Sequence, residues 1–277
     1  PMSCIVGACH AQYHTRYGSY QHLMGIVEDG ACALLAAAGP MGLGCIDYLV
    51  HGPRRPRLLV VTDIDQARLD RAAQLMTAGD AANHGVKLLY VNTSNPTEAL
   101  AKLRGLTQAG FDDVFAFAPV APVIEQADAL LGRNGCLNFF AGPSRTDFAA
   151  RLNFYNVHYA ETHIVGTSGG NTDDMREALA LMSSGRINPS AMITHVGGIT
   201  AAREAILNLP SIPGGKKLIY TQYDLPLTAI ADFATAGQTQ PFFAELASLC
   251  AAHNGLWNPE AETYLLAHGP KLMPPGL

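Results

Sequence analysis

Six short apolar runs recur about every 25 residues between positions 31 and 165, each bounded by turn-forming residues. Helical patterns or glycine-containing loops separate them. A strand–helix–strand repeat of this kind requires parallel strands, because each helical crossover returns the chain to the same edge of the sheet. The sequence therefore predicts an α/β fold with a doubly wound, six-stranded parallel sheet. The predicted strands are Ala31–Ala37, Leu58–Thr62, Val86–Val91, Asp113–Phe117, Cys136–Ala141 and Thr162–Val165.

Helix-start signals follow several of these strands. Asp65 can cap a helix after the second strand, and Asn95, followed by a proline, can cap one after the third. Asn171 or Thr172 can cap a helix after the sixth strand. These positions fit the crossover helices that the strand pattern requires.

Composition excludes several classes of protein. A net charge of −5 and a pI near 6.0 argue against a nucleic-acid partner. The six cysteines contain no C-x-x-C pair, which is typical of reduced thiols in a cytoplasmic protein. The longest uncharged stretch, residues 30–46, is too short and too interrupted for a membrane span, and no signal-peptide pattern is present. We therefore expect a cytoplasmic protein with no nucleic-acid or membrane partner.

The first strand runs into the stretch "ALLAAAGPMGLG", residues 33–44. It fits the dinucleotide fingerprint G-x-G-x-x-G with Ala37 in place of the first glycine, if the φ of Ala37 stays negative. Gly39 would let the backbone approach a pyrophosphate, with Pro40 and Met41 beside it, and Gly42 would let the helix pack closely on the strand. We expect these five residues to bind the pyrophosphate of a dinucleotide.

An acidic residue stands where this motif needs one. Asp63 follows the second strand, 24 residues after Gly39, where a carboxylate can accept hydrogen bonds from the adenosine ribose hydroxyls. Its charge would repel a 2′-phosphate, and Ile64 offers no compensating cation, so NAD is expected over NADP. Arg68, one helical turn further on, could swing toward a phosphate or stack on the adenine.

The remaining strand tips should face the same crevice, since the carboxyl ends of parallel strands share one edge of the sheet. Small residues at these tips would allow a ribose and a nicotinamide to approach. The expected residues are Ala118, Ala141, Gly142, Gly166, Thr167 and Ser168.

Five motifs occur in a distinctive order: "GPMGLG", "VVTDIDQARLDRA", "FDDVFAFAPVAPVIEQADALL", "GCLNFFAG" and "INPSAMITHVGGITAAREAILNL". In this order they resemble the cofactor domain of the zinc-type medium-chain dehydrogenase/reductase superfamily. The segments "TSGGNTDDMREALALM" and "IPGGKKLIYT" look most like its polyol and sugar-phosphate dehydrogenases, particularly sorbose 1-phosphate reductase-like proteins. The resemblance spans about residues 1 to 230.

That resemblance implies hydride transfer between a nicotinamide and a polyol or sugar-phosphate substrate, with zinc held in a separate catalytic lobe. No motif of that lobe is present, so the chain resembles a family member without it. The resemblance therefore implies that this chain has no catalytic residue and no metal ligand, and that zinc binds only in the missing lobe. It also implies that the protein forms a homo-oligomer. Two alternatives remain open: a non-catalytic nucleotide-binding or interaction module, and an intact zinc-independent oxidoreductase of the same superfamily.

Other polar residues are interpreted as structural. His10 and His14 are four apart and could share a helix face, but no Glu follows His10 as in the H-E-x-x-H motif. Residues 13–22 are expected to be a surface loop or partner contact, and His195 lies in the segment resembling the family's return toward the catalytic lobe.

The domain organisation follows from these assignments. Residues 1–185 are expected to form the dinucleotide-binding domain, including its first helix, and residues 186–277 an α-rich C-terminal extension. Within that extension, "PFFAELASLCAAHNGLW" and "WNPEAETYLLAH" carry helix patterns. We expect their apolar face to be exposed or to pair with another subunit.

Overall fold

The computed structural model describes residues 1–272 of the 277-residue chain. The backbone forms two compact units, one spanning Pro1–Asn188 and the other beginning at Pro189. Each unit contains its own main sheet. No helix among the described residues is both long enough and apolar enough to cross a membrane.

The first unit opens with a helix and a small hairpin. Helix α1 (Met2–Ala11) is followed by an antiparallel pair, β1 (Tyr13–Thr15) and β2 (His22–Met24). The helix ends at Ala11 because the next residue, Gln12, adopts an extended ψ of 143°.

One expectation for this segment is wrong and another holds only in part. His10 and His14 do not share a helix face, because His10 lies on the last turn of α1 and His14 on β1. Residues 13–22 were expected to be a surface loop or partner contact; residues 16–21 are an exposed loop, whereas Tyr13–Thr15 and His22 belong to the paired strands of the hairpin.

The main sheet has six strands, all parallel, in the spatial order β5-β4-β3-β6-β7-β8. The chain starts at the centre, adds strands on one side, and then returns to add strands on the other. This doubly wound order confirms the predicted fold class. The strands are β3 (Ala31–Leu35), β4 (Leu58–Asp63), β5 (Lys87–Asn92), β6 (Phe111–Ala116), β7 (Leu131–Phe139) and β8 (His163–Val165).

All six predicted strands are present, with differences at their ends. Strand β3 stops at Leu35, two residues before the predicted end, and β7 begins at Leu131, so Cys136 lies inside the strand. Every residue of β3 is buried, as expected for a central strand covered on both faces.

Seven helices accompany the sheet, and three carry the predicted caps. The side chains of Asp65 and Asn95 accept hydrogen bonds from backbone N–H groups in the first turn of their helices. Asn171 forms a reciprocal capping box with Asp174. The helices are α2 (Pro40–His51), α3 (Gln66–Leu75), α4 (Ala78–Asn83), α5 (Pro96–Gly105), α6 (Ala121–Leu130), α7 (Phe154–Tyr159) and α8 (Thr172–Ser183).

The second unit is rich in helix, and both helix patterns found in its sequence are confirmed. It also contains a three-stranded sheet, in the order β10-β9-β11, that the sequence pattern did not indicate. Its elements are β9 (Ile193–Gly198), α9 (Ala202–Leu207), β10 (Lys216–Tyr220), β11 (Thr228–Ala229), α10 (Phe233–Ala236), α11 (Pro241–Ala251) and α12 (Pro259–His268).

The apolar face of α11 and α12 is not left exposed, contrary to expectation. Phe243 and Leu246 of α11 and Leu265 of α12 are buried in a cluster with Phe233 and Trp257 of the same unit. The two helices cover each other and the small sheet, so their apolar side chains form a core within the unit.

Candidate functional site

In the turn between β3 and α2, the left-handed residue is not the one that the fingerprint alignment suggests. Ala36 adopts a left-handed backbone with a φ of 54°, whereas Ala37 is not among the described residues with positive φ. The N–H of Ala37 donates to the carbonyl oxygen of Thr62 at 2.8 Å, which ties the turn to the end of β4. The left-handed bend therefore falls one residue earlier than the fingerprint alignment suggests.

Two glycines in this turn have opposite surroundings. A Cβ placed on Gly42 would overlap the backbone carbonyl of Ala37, so helix and strand touch at this point. A Cβ placed on Gly39 would have no atom within 4 Å. Gly39 is also the N-cap of α2, and no side chain caps the helix there. An open backbone at the positive end of a helix suits an anion.

Asp63 is buried at the tip of β4 and held by backbone groups of both adjoining turns. Its carboxylate accepts the N–H of Ala38 at 3.2 Å and the N–H of Asp65 at 3.1 Å. Each bond occupies one carboxylate oxygen and leaves further acceptor capacity. Ile64 is 70% exposed, and the exposed Arg68 lies 3.5 Å from the Asp65 carboxylate.

The tips of the later strands are connected to the same edge. The N–H of Phe117 donates to Leu35 at 2.9 Å, and the N–H of Ala141 donates to Ala116 at 3.0 Å. Ala118 is half-buried beyond β6. Ala141 is buried and Gly142 exposed beyond β7, whereas Gly166, Thr167 and Ser168 continue from β8 and are exposed or half-buried.

The predicted cofactor residues thus all follow the carboxyl ends of their strands. Parallel pairing brings these ends to one edge of the sheet. The chain reverses its direction of winding between β3 and β6, and ligands of open α/β sheets bind at such a switch point. Ala37, Gly39, Pro40, Met41 and Gly42 lie at that point.

A second polar cluster, at the start of β6, was not found by sequence reasoning. Asp113 is buried and accepts hydrogen bonds from the side chain of Gln12 (2.8 Å), from Nε2 of His14 (3.1 Å) and from the N–H of Val27 (2.8 Å). Nδ1 of His14 donates to the carbonyl of Asn134 at 2.8 Å.

Both ring nitrogens of His14 therefore face acceptors, a geometry that favours the imidazolium form. Burial opposes ionisation, but the hydrogen bond and the charge of Asp113 outweigh it and raise the pKa of His14. This cluster anchors the first hairpin to the sheet, which is a structural role.

His10 and His195, which the sequence predicts to be structural, each lie beside a polar side chain. Nδ1 of His10 lies 2.8 Å from the carboxylate of Asp174, joining α1 to α8. His195 lies within β9, and its Nδ1 lies 2.9 Å from the hydroxyl of Thr194. Burial first, and then the charge of Lys217, lower the pKa of His195.

Among residues 1–272, one group of three side chains has the residue types and spacing needed to bind a metal ion. Ligand atoms of His51, Asp80 and His84 lie within 4.8 Å of one another. His51 is at the end of α2 opposite to Gly39, so this group is separated from the predicted cofactor residues by roughly 16 Å of helix. Sequence reasoning missed it because His51 is distant in the chain from the other two.

A doubly wound parallel sheet with an open glycine turn and a buried acid at adjacent strand tips defines a dinucleotide-binding type of α/β fold. Solved structures agree with this class. A zinc-binding dehydrogenase from Sinorhizobium meliloti, bound to NADP, matches with a TM-score of 0.60 and 18% identity over 80% of this chain and 57% of that one. L-Idonate 5-dehydrogenase from Escherichia coli matches with a TM-score of 0.59 and 14% identity, over 80% of this chain and 55% of that one.

Sequence comparison finds one matching family domain and related sugar-phosphate enzymes. Residues 58–184 match the family model described as zinc-binding dehydrogenase. Mannitol-1-phosphate 5-dehydrogenase from Aliivibrio fischeri is 57% identical over 96% of this chain, and L-sorbose 1-phosphate reductase from Klebsiella pneumoniae is 46% identical over 97%. Residues 58–184 therefore carry the zinc-binding dehydrogenase domain, and the chain is a homologue of these two sugar-phosphate enzymes, in agreement with the resemblance that the sequence motifs indicated. It spans 63% and 62% of the length of these two relatives.

Proposed function

We propose that this chain binds a nicotinamide dinucleotide at the carboxyl edge of its six-stranded sheet. The observation that carries the proposal is the contrast between Gly42, whose missing side chain is needed for packing, and Gly39, which faces open space. Packing of the helix on the strand explains why residue 42 is glycine, but it does not explain why residue 39 is glycine. An open glycine at an uncapped helix start is explained by a ligand that must approach the backbone.

The residues present fit such a cofactor. Gly39, Pro40 and Met41 would hold the pyrophosphate, because the N-terminus of α2 offers N–H groups and a positive dipole. Asp63 would accept hydrogen bonds from the adenosine ribose hydroxyls, with Ile64 and Arg68 flanking the adenosine. Small residues would border the second ribose and the nicotinamide: Ala118, Ala141, Gly142, Gly166, Thr167 and Ser168.

The same geometry supports NAD in preference to NADP. The Asp63 carboxylate is fixed by two backbone N–H groups, so it cannot swing away from a 2′-phosphate without losing both hydrogen bonds. The neighbouring Ile64 carries no charge to offset the repulsion. Arg68, one helical turn further on, is a candidate cation, but it lies beside Asp65, which partly neutralises its charge.

For the complete reaction, we propose the oxidation or reduction of a polyol or sugar phosphate. The names of the two curated relatives, a mannitol-1-phosphate dehydrogenase and an L-sorbose 1-phosphate reductase, support this substrate class. The nicotinamide would supply or accept the hydride. Catalytic zinc does not fit the predicted cofactor residues, because they include no histidine or cysteine and one carboxylate.

Titration of the purified chain with NADH and NADPH tests the proposal. Gly39→Val should weaken NADH binding more than tenfold while the circular dichroism spectrum stays the same, since a side chain at residue 39 fills only the ligand's space. Gly105→Val is the matched control, because Gly105 also faces open space but lies at the end of α5. Equal NADH affinity in the wild type and in Gly39→Val would refute the proposed site.

A further inference from the structure

His51, Asp80 and His84 converge on one point from two helices. His51 ends α2, Asp80 lies on α4, and His84 is the C-cap of α4. Nε2 of His51 lies 2.8 Å from a carboxylate oxygen of Asp80. The rings of His51 and His84 pack edge to face, with their centroids 4.6 Å apart. Asp80 and His84 are four residues apart, a spacing that places both side chains on the same side of one helical turn.

Asp47, one turn before His51 on α2, fixes the orientation of its ring. The buried Asp47 carboxylate lies 2.7 Å from Nδ1 of His51, and its other oxygen accepts the N–H of Asn188 at 2.6 Å. A carboxylate that holds Nδ1 leaves Nε2 directed at a neighbouring acceptor or metal ion, which is the arrangement found behind most metal-binding histidines. Here Nε2 lies 2.8 Å from a carboxylate oxygen of Asp80, so a metal ion would replace the proton that Nε2 shares with this carboxylate.

We propose that His51, Asp80 and His84 bind one zinc-like transition-metal ion, with a solvent molecule in the fourth position. Two imidazoles and one carboxylate form a ligand set that zinc accepts, whereas magnesium and calcium prefer oxygen ligands alone. Two ligands of a tetrahedral zinc ion stand about 3.4 Å apart, so the three side chains need to move by only about 1 Å.

The surroundings leave room for an ion and a path to it. His51 and His84 line a cavity of about 620 Å³, and the side chain of Asp80 is 51% exposed. Arg55 and Arg186 also line this cavity, and Arg186 donates to the carbonyl oxygens of His51 and Gly52 at 2.6 and 3.0 Å.

The two guanidinium groups offset the two carboxylates, Asp47 and Asp80. The cluster therefore offers little net negative charge, and binding must come from coordination by the imidazoles. This balance favours a metal ion that bonds strongly to nitrogen over one attracted mainly by charge.

The proposal does not depend on dinucleotide binding, because the group lies at the far end of α2 from Gly39. Calorimetric titration of the untagged full chain with zinc chloride should show one site per chain. Cobalt substitution should give a tetrahedral visible spectrum without the charge-transfer band of a thiolate ligand. Such a band would assign the metal to a cysteine and overturn the proposal.

Variants identify the ligands. His51→Gln and His84→Gln should each weaken zinc binding at least tenfold, and Asp47→Asn should weaken it about 10- to 100-fold by releasing the His51 ring. His158→Gln, at an exposed histidine on α7, is the matched control and should bind zinc like the wild type. Unchanged binding in His51→Gln and His84→Gln, or no zinc binding by the wild type at zinc concentrations up to about 100 micromolar, would overturn the proposal.

Thermal unfolding gives a second measurement that does not rely on calorimetry. Zinc bound between α2 and α4 should raise the melting temperature of the wild type in a concentration-dependent way. If a histidine variant fails to fold, Asp80→Asn can be measured in its place. The Asp80 side chain is half exposed, and asparagine has nearly the same shape as aspartate. A zinc-dependent increase that persists in Asp80→Asn at full size would contradict the assignment.

Discussion

Gly42 and Ala37 touch through their backbones: a side-chain carbon at position 42 would overlap the carbonyl group of Ala37. The contact joins the start of α2 to the turn that follows β3. It fixes the helix in the position from which its N-terminus faces the carboxyl edge of the sheet. Packing at Gly42 therefore sets the geometry on which the proposed pyrophosphate site depends.

The first prediction separates packing from ligand binding. Gly42→Ala should lower the free energy of unfolding by at least about 2 kcal/mol, since the overlap involves rigid backbone. Gly39→Ala should lower it by less, up to about 1 kcal/mol for the poorer N-cap, because its new methyl group meets no atom within 4 Å. Urea unfolding followed by circular dichroism measures both. Similar unfolding curves for the two variants would contradict the packing argument.

The second prediction concerns the choice between NAD and NADP. Asp63→Asn removes the negative charge and keeps one of the two oxygens, so one of the two backbone hydrogen bonds to Ala38 and Asp65 is retained and the other is lost. NADH binding should weaken about tenfold, and the preference over NADPH should shrink or reverse. Asp65→Asn removes a nearby exposed charge and keeps the α3 cap, so it should change the preference much less. Tighter NADPH than NADH binding by the wild type would refute the proposed role of Asp63.

The third prediction is a pH dependence that involves His14. Its pKa is raised in the folded protein, so the stabilisation is fully present below about 6.5, the ordinary value, and is lost as the pH rises through the folded-state pKa. The destabilisation caused by His14→Gln should therefore be larger at pH 6 than at pH 9. Urea unfolding of both proteins at the two pH values provides the measurement. A difference that stays constant, or that grows toward pH 9, would exclude the pairing of a protonated His14 with Asp113.

The fourth prediction tests the capping box at the start of α8. Asn171 accepts the N–H groups of Asp173 and Asp174 at 2.8 and 2.9 Å, and the Asp174 carboxylate accepts the N–H of Asn171. Asn171→Ala should cost about 1 kcal/mol of stability. Thr172→Ala, at the exposed first residue of the helix, should cost much less. Equal losses in the two variants would show that the cap contributes little.

Local pattern was sufficient for most of the first unit. Its strands are short apolar runs, its helix starts carry side chains that cap them, and parallel pairing then brings every strand tip to one edge. Gly39, Asp63 and Gly166 could be placed at that edge from sequence because only the strand order was needed. The small sheet of the second unit was missed, because β11 has two residues and carries no periodic pattern.

The sequence did not predict structural features that depend on contacts between distant parts of the chain. Nothing local marks Ala36 as the left-handed residue of the turn. That conformation is held in place by the hydrogen bond from Ala37 to Thr62 of a neighbouring strand. The apolar face of α11 is likewise buried by aromatic side chains contributed by separate segments of the second unit, including Phe233 and Trp257.

The sequence by itself determined the α/β class and the winding of the sheet, which follow from residue periodicity, and the family resemblance, which follows from the order of motifs along the chain. Tertiary structure alone decided that Asp113 gathers Gln12 and His14, and that His51 meets Asp80 and His84. The physical reason is that hydrogen bonds and metal coordination act over about 2 to 3 Å. Side chains separated by many residues come within such a distance only after the whole unit has packed.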